Sequence, residues 1–290
     1  IADPETPNKA AAGCFADIRT CVGCLHGCDA NVNLEQSGTC ELNPIIGHES
    51  EAEYQTVMTD SPKNVLVIGA GPAGLEAAIG AAKRGHRVSV YDKDRWAGGK
   101  YRLASVPPCK GELGAFIVWQ MHELKKLNVP VILNTVVTKE LVDSVKPDVI
   151  IAATGTTPVV PRKIPGWDKD IVVLGTDVLS GKANTGHNVV VVGGGHAGAE
   201  TANHIASYMK NVTIVELQED IAMDEVDTPR NALLADLEKN KVRVCASTSV
   251  SEIKDHSVVV SGKFNEEIEC DTVVISIGHT PNTTLADELI

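Results

Sequence analysis

Residues 65–74 read VLVIGAGPAG and residues 189–198 read VVVVGGGHAG. Each stretch is a β-branched apolar run ending in Gly-x-Gly-x-x-Gly, and each leads into Ala-rich sequence of helical character, over 75–84 and 199–209. Short apolar runs bounded by glycines suit strands buried on both faces of a parallel sheet. Gly85 is placed to cap the first helix at its C-terminus. A second strand follows in each case. Val88 to Tyr91 ends at Asp92, and Val212 to Val215 ends at Glu216. The interval from first glycine to acid, Gly69 to Asp92 and Gly193 to Glu216, is 23 residues in both copies. Farther on, IIAATGTTP (150–158) and VVISIGHTP (273–281) are again strands followed by a glycine, Gly155 and Gly278. The chain carries one supersecondary unit twice.

A glycine motif that follows a strand, opens a helix and precedes an acid at the next strand end predicts a dinucleotide site. Gly69 and Gly193 permit the tight turn, Gly71 and Gly195 let the backbone approach a pyrophosphate, and Gly74 and Gly198 allow close helix–strand packing. Pro72 and Ala73, and His196 and Ala197, open the two helices, whose free N–H groups and dipole favour an anion. Asp92 and Glu216 are placed to accept ribose hydroxyls. Two copies predict two dinucleotides, one FAD and one NAD(P). After Glu216 the sequence LQED offers no Arg or Lys to neutralise a 2′-phosphate, which predicts NADH over NADPH; Lys210 is the nearby cation whose position the sequence leaves open. The expected fold is α/β, two Rossmann-like domains preceded by a cysteine-rich segment. Within it, Leu113, Phe116, Ile117, Leu124 and Leu127 share a helical face and VPVIL reads as a strand. In the second unit 229–239 reads as a helix, KVRVC as a strand, and 257–261 with 266–270 as an antiparallel hairpin.

Five of eight cysteines fall in the first forty residues. Cys21, Cys24, Cys28 and Cys40 have ligand spacing, three close together and a fourth to close the site. Four thiolates suit an iron–sulfur cluster or a structural zinc, although zinc more often uses paired knuckles. Cys14 lies outside the spacing, and Cys109, Cys245 and Cys270 stand singly and read as small core or surface residues rather than redox thiols. His26 reads as a loop histidine beside the ligands. With 26 basic and 38 acidic residues the formal charge is −12, which opposes binding to a phosphate backbone. There is no apolar stretch of membrane-spanning length and no basic-then-apolar leader, so the expectation is a cytoplasmic protein without nucleic-acid or membrane partners. The chain begins with Ile1 and Ile290 follows a segment that reads as unfinished, as in a piece cut at both ends.

DIRTCVGCLHGC (17–28), SGTCELNPIIGHE (37–49) and the first glycine motif, in that order, resemble the old yellow enzyme-related iron–sulfur flavoenzymes. That family includes 2,4-dienoyl-CoA reductase, enoate reductases and trimethylamine dehydrogenase. IADPETPNKA (1–10) resembles the end of their FMN-binding TIM barrel. The resemblance implies FAD in the first unit, lined by Gly98, Gly99 and Lys100, with the backbone of Val137 at the adenine and Gly155 in the Ala-Thr-Gly stretch. It implies a [4Fe–4S] cluster on the four cysteines and NADH in the second unit. Electrons would pass from NADH to FAD, to the cluster, and to FMN in a barrel this sequence lacks, for reduction of an activated C=C bond. The small-molecule substrate and its catalytic residues belong to that barrel, so no catalytic residue is assigned here. The implied layout is 1–60 for the barrel end and cluster segment, 61–165 for the FAD domain, 166–282 for the NAD(P) domain, and 283–290 for a truncated return to the FAD domain. Three alternatives stay open. They are an amine dehydrogenase of the trimethylamine type, a glutamate synthase small-subunit-like protein, and a non-catalytic nucleotide-binding module with zinc. A homo-oligomer is also open.

Overall fold

The computed structural model describes residues 1–289, with side chains through Glu288. The chain divides into two compact units. The first takes Ile1–Ser105, Gly111–Thr156 and the chain from Pro281 onward; the second takes Val106–Lys110 and Thr157–Thr280.

The first unit opens with the cysteine segment, which carries the short helices α1 (Thr6–Ala11) and α2 (Asp29–Asn33). The repeat then begins with β1 (Asn64–Ile68), α3 (Pro72–Lys83), β2 (Arg87–Tyr91), α4 (Gly99–Ala104) and α5 (Glu112–Lys126). It closes with β3 (Val131–Ile132), α6 (Lys139–Val145) and β4 (Val149–Ala152). The strands pair in parallel in the order β3-β2-β1-β4. Successive side chains of β1 point to opposite faces, and both faces are dry. Val65 and Val67 pack with Leu75 and Ile79 of α3 and with Phe116 and Leu124 of α5. Leu66 and Ile68 pack with Val137 and Val142 on the other side. A strand covered on both faces explains why its sequence shows no alternation.

The chain crosses into the second unit through β5 (Thr156–Pro158). There follow β6 (Val172–Leu174), α7 (Gly175–Leu179), β7 (Asn188–Val192), α8 (His196–Ala206), β8 (Asn211–Val215), α9 (Asp227–Lys239) and β9 (Arg243–Cys245). Next come β10 (Thr248–Ile253), β11 (Ser257–Gly262), β12 (Glu266–Glu269), β13 (Thr272–Ile275) and β14 (His279–Pro281). The parallel sheet, β9-β8-β7-β13-β6, repeats the order of the first sheet with one strand added. Val189 and Val191 face Ala202 and Ile205 of α8 and Leu237 of α9, while Val190 and Val192 face the antiparallel sheet β10-β11-β12. The hairpin expected from the sequence is β11–β12, and β10 adds a third strand whose register slips between Val250 and Glu252.

The crossing lies earlier than the expected boundary at 165. The backbone N–H of Ile253 donates to Pro165, and Ile164 packs in the second unit's core, so residues 157–165 belong to the second unit. The chain re-enters the first unit at Pro281, where the Asn282 N–H donates to Gly155. It continues into α10 (Thr284–Leu289), from which Leu285 packs beside Leu66 and Val142. Ile290 lies outside the described residues.

The cysteine segment is part of the first unit because α5 holds it. The Trp119 indole N–H donates to the Asp17 carbonyl at 3.0 Å, and the Arg19 guanidinium stands 4.3 Å from the centre of the same ring. His122 and Lys126 close on the Asp17 carboxylate at 2.7 and 2.8 Å. Trp119 is buried and stacks on Phe116. Trp119→Ala is expected to cost about 3–5 kcal/mol of stability, as buried Trp truncations do. It should also speed proteolytic cleavage within residues 15–45, read by denaturant melts and limited digestion; a variant with unchanged digestion would show that the segment is held elsewhere.

Candidate functional site

The two glycine loops are built alike, bond for bond. The Gly69 N–H donates to the Tyr91 carbonyl and the Gly193 N–H to that of Val215. The Ala70 N–H donates to Asp92 Oδ2 at 2.6 Å, and the Gly194 N–H to Glu216 Oε2 at 2.5 Å. The second oxygen of each acid accepts from the backbone two residues on, Asp94 at 2.8 Å and Gln218 at 2.7 Å. Each carboxylate therefore buckles its loop to the end of the second strand, and its remaining lone pairs are left for hydroxyl donors. Gly69 and Gly193 hold φ at +111° and +99°, and a Cβ on either would strike the backbone carbonyl of Ala153 or Ser276. Gly74 and Gly198 pack against the carbonyls of Gly69 and Gly193. These four glycines serve the turn and the packing.

Gly71 differs, because a Cβ there would meet nothing within 4 Å. The space beside it is the cradle a pyrophosphate needs, next to Pro72 and Ala73 at the start of α3. Gly98 and Gly99 border the same space. The Gly98 N–H donates to Ala70 at 2.7 Å, and a Cβ on Gly99 would lie 3.4 Å from Gly71 Cα. Lys100 donates to Thr156 Oγ1 at 2.5 Å, and burial lowers its pKa from the ordinary lysine value. Gly155 follows β4 at positive φ. The Val137 side chain is core, so only its backbone is available to an adenine. The residues present fit FAD.

In the second unit Gly193, Gly195, Ala197, Glu216 and Gly278 line a cleft of about 450 Å³. Its lining contains no Lys or Arg among the described residues. Lys210 is held away, donating to Thr185 at the opposite end of β8. The cleft is also lined by Asp224, which the sequence reading did not single out.

His196 does not reach into that cleft. Its Nε2 lies 2.8 Å from Glu200 Oε1 and 2.9 Å from Glu225 Oε2, and Lys110 lies 2.6 Å from the same Glu200 oxygen. The directions are those of charge contacts rather than aligned hydrogen bonds. Glu200 raises the imidazole pKa above its ordinary value, against burial. Burial pushes Glu200 up, but His196 and Lys110 bring it below the ordinary carboxylate value. Glu200 sits one helical turn after His196, a pairing the sequence could have disclosed. Because the folded His196 pKa is raised, its contribution to stability is complete below about pH 6.5 and is lost as pH rises through the folded value. Urea melts from pH 6 to 9 are expected to show stability falling in that window for the wild type, and a flatter difference for His196→Gln; parallel curves would refute the charged cluster.

Cys24, Cys28 and Cys40 lie near one another in the first unit. The Thr39 N–H donates to Gly27 at 2.8 Å, and a Cβ on Gly27 would strike Thr39, so that glycine lets the loop before Cys40 approach the loop before Cys28. The Gly23 N–H points at Cys21 Sγ at 3.4 Å, and the His26 backbone N–H bonds to Cys24. Burial raises the Cys24 thiol, and Glu41, Cys40 and Cys28 raise it further. Cys245 and Cys270 are core residues, the latter pushed by burial up to about 11, while Cys14 and Cys109 are exposed. Asp17, His122 and Glu123 bring ligand atoms within 4.8 Å of one another, but Lys83 and Lys126 already pair with these acids. No helix among the described residues is long and apolar enough to cross a membrane.

Comparison with known proteins agrees with this geometry. Residues 63–289 match the family model described as pyridine nucleotide-disulphide oxidoreductase. NADH oxidase of Thermoanaerobacter brockii is 38% identical over 97% of this chain, which covers 44% of that protein. Cinnamate reductase of Clostridium sporogenes is 35% identical over the whole chain, covering 43% of the relative. The solved 2-naphthoyl-CoA reductase superposes over the whole chain with a TM-score of 0.96 at 33% identity, using 44% of its own length. The chain thus spans less than half the length of these relatives. It belongs to the pyridine nucleotide-disulphide oxidoreductase family and corresponds to the dinucleotide-binding part of old yellow enzyme-related flavoenzymes.

Proposed function

We propose that this chain is the electron-input part of an NADH-dependent iron–sulfur flavoenzyme that reduces an activated C=C bond. One observation carries the reading: the acid-buckled glycine loop occurs twice, and the first unit that holds one copy also holds the cysteine segment on α5. FAD, when bound, supplies the link between a two-electron hydride donor and one-electron carriers. The chain's own residues do the holding. Gly71, Gly98 and Gly99 leave room for the FAD pyrophosphate, and Asp92 offers its ribose an acceptor. Glu216 does the same for NADH in the cleft of the second unit. Cys21, Cys24, Cys28 and Cys40 are proposed to hold a [4Fe–4S] cluster. Three closely spaced thiolates and a distant fourth suit a cluster better than a zinc ion, which more often takes paired knuckles. The acceptor would be FMN in a barrel carried by the rest of the protein. The proposed substrate is a conjugated acid or its CoA thioester, a reading supported by the names of two relatives, cinnamate reductase and 2-naphthoyl-CoA reductase.

The cluster is tested by anaerobic iron and sulfide analysis, expected to give about four of each per chain. Cys14→Ser should leave those contents unchanged and Cys40→Ser should lower them; the reverse pattern would undo the ligand assignment.

The nucleotide preference follows from charge. A 2′-phosphate would meet Glu216 in a cleft whose lining holds no Lys or Arg among the described residues. Like charges about 4 Å apart cost on the order of 1 kcal/mol in water and several times more when partly buried. NADH should be preferred by at least about tenfold in kcat/KM. Glu216→Gln should narrow the ratio by removing the charge. Glu216→Ala should weaken both nucleotides, since it also frees the Gly194 N–H. Equal use of NADH and NADPH by the wild type would sink the assignment.

A further inference from the structure

The two glycine loops differ at one place. In the first unit the helix opens on Pro72, which has no N–H, and the space over Gly71 is open. In the second the helix opens on His196, whose N–H donates to Asp224 Oδ1 at 2.6 Å. Both Asp224 oxygens lie 3.6 Å from where a Cβ of Gly195 would be. The carboxylate thus covers the glycine whose bare Cα admits a pyrophosphate, and it takes an N–H of the helix end that would receive one.

We propose that Asp224 is a built-in competitor for the pyrophosphate of the incoming nucleotide, a displaceable cap that lowers the cleft's affinity for NADH. The inference rests on the reading that the second unit takes NADH. Its physical basis is that a carboxylate and a diphosphate are both anions seeking the same donor. Among the described residues no Lys or Arg lines the cleft to let them share it, and the one imidazole in its lining is that of His279. His196 and Lys110, the nearby cations, are engaged by Glu200 and Glu225.

The loop that carries Asp224 is fixed on both sides of it. The Ala222 N–H donates to Gly194 at 2.7 Å, and the buried Ile221 packs against Gly194. Glu225 is held at His196. Displacement is therefore a rotation of one side chain and leaves the loop in place. The observed affinity is then the intrinsic one multiplied by the fraction of time the cap is off.

The test is equilibrium binding of ADP-ribose to the FAD-loaded protein by calorimetry, with adenosine, which has no pyrophosphate, as a competing ligand. Asp224→Ala is expected to tighten ADP-ribose about tenfold, the scale of one charge-assisted hydrogen bond weakened by solvent competition, and to leave adenosine unchanged. Asp224→Asn, which keeps an acceptor without the charge, should fall between and serves if the alanine variant does not fold. Unchanged or weaker ADP-ribose binding in the variants, or equal tightening of adenosine, overturns the proposal. A wild type that holds FAD but binds no ADP-ribose instead overturns the NADH reading on which it stands.

Discussion

A carboxylate at the end of the second strand holds the glycine turn at the end of the first. Asp92 on Ala70 and Glu216 on Gly194 are hydrogen bonds with a charged acceptor, each contributing about 1.5–3 kcal/mol, and they set the turn before any ligand arrives. Once the turn is set, the helix N-terminus faces the carboxyl end of the sheet, and the third glycine must lie against the first. The acid uses both of its oxygens on backbone, one on the glycine loop and one on the chain two residues on. That bracing explains why spacing between glycine and acid is the same in both copies.

That constraint is also why so much could be read from the sequence. The 23-residue interval appears in the structure as strand pairings of Asn64 with Arg87 and Asn188 with Arg's counterpart Asn211, equal in register. The long helices showed themselves by their apolar faces, as α5 did through Phe116 and Leu124. What stayed hidden had no period to show. The strand β10 reads TSVSEI, with two serines and a glutamate, and it is kept in its sheet by Ile253 and by a bulge that a pattern of alternation cannot express. The short strands β5 and β14, three residues each, are fixed by where the chain changes unit rather than by local preference. Asp224 was illegible for another reason. It lies in a stretch rich in acids, and only the folded loop distinguishes the one that reaches the helix end from those that face water.

The cysteine segment shows a different division of labour. Its spacing was visible, but its attachment was not. Nothing in the sequence announces that Trp119, one hundred residues on, donates to Asp17, or that Arg19 lies over the same indole. Burial of that ring ties a segment poor in regular structure to the longest described helix of its unit. A stretch with two short helices and little core of its own gains a defined place in this way.

The chain leaves the first unit at Thr156 and comes back at Pro281, so one unit is threaded into the other as an insertion. On a ribosome this order matters. The face of the first sheet made by Leu66 and Ile68 receives Leu285 only after the whole second unit has been synthesised. Until then that apolar face lacks part of its cover, while the second unit, continuous from Thr157 to Thr280 apart from its small Val106–Lys110 piece, can already close its own core. Of the two units, the one whose strands are made earlier is thus completed later, and until Leu285 arrives the Leu66–Ile68 face of its sheet is open to the contacts that incomplete domains make.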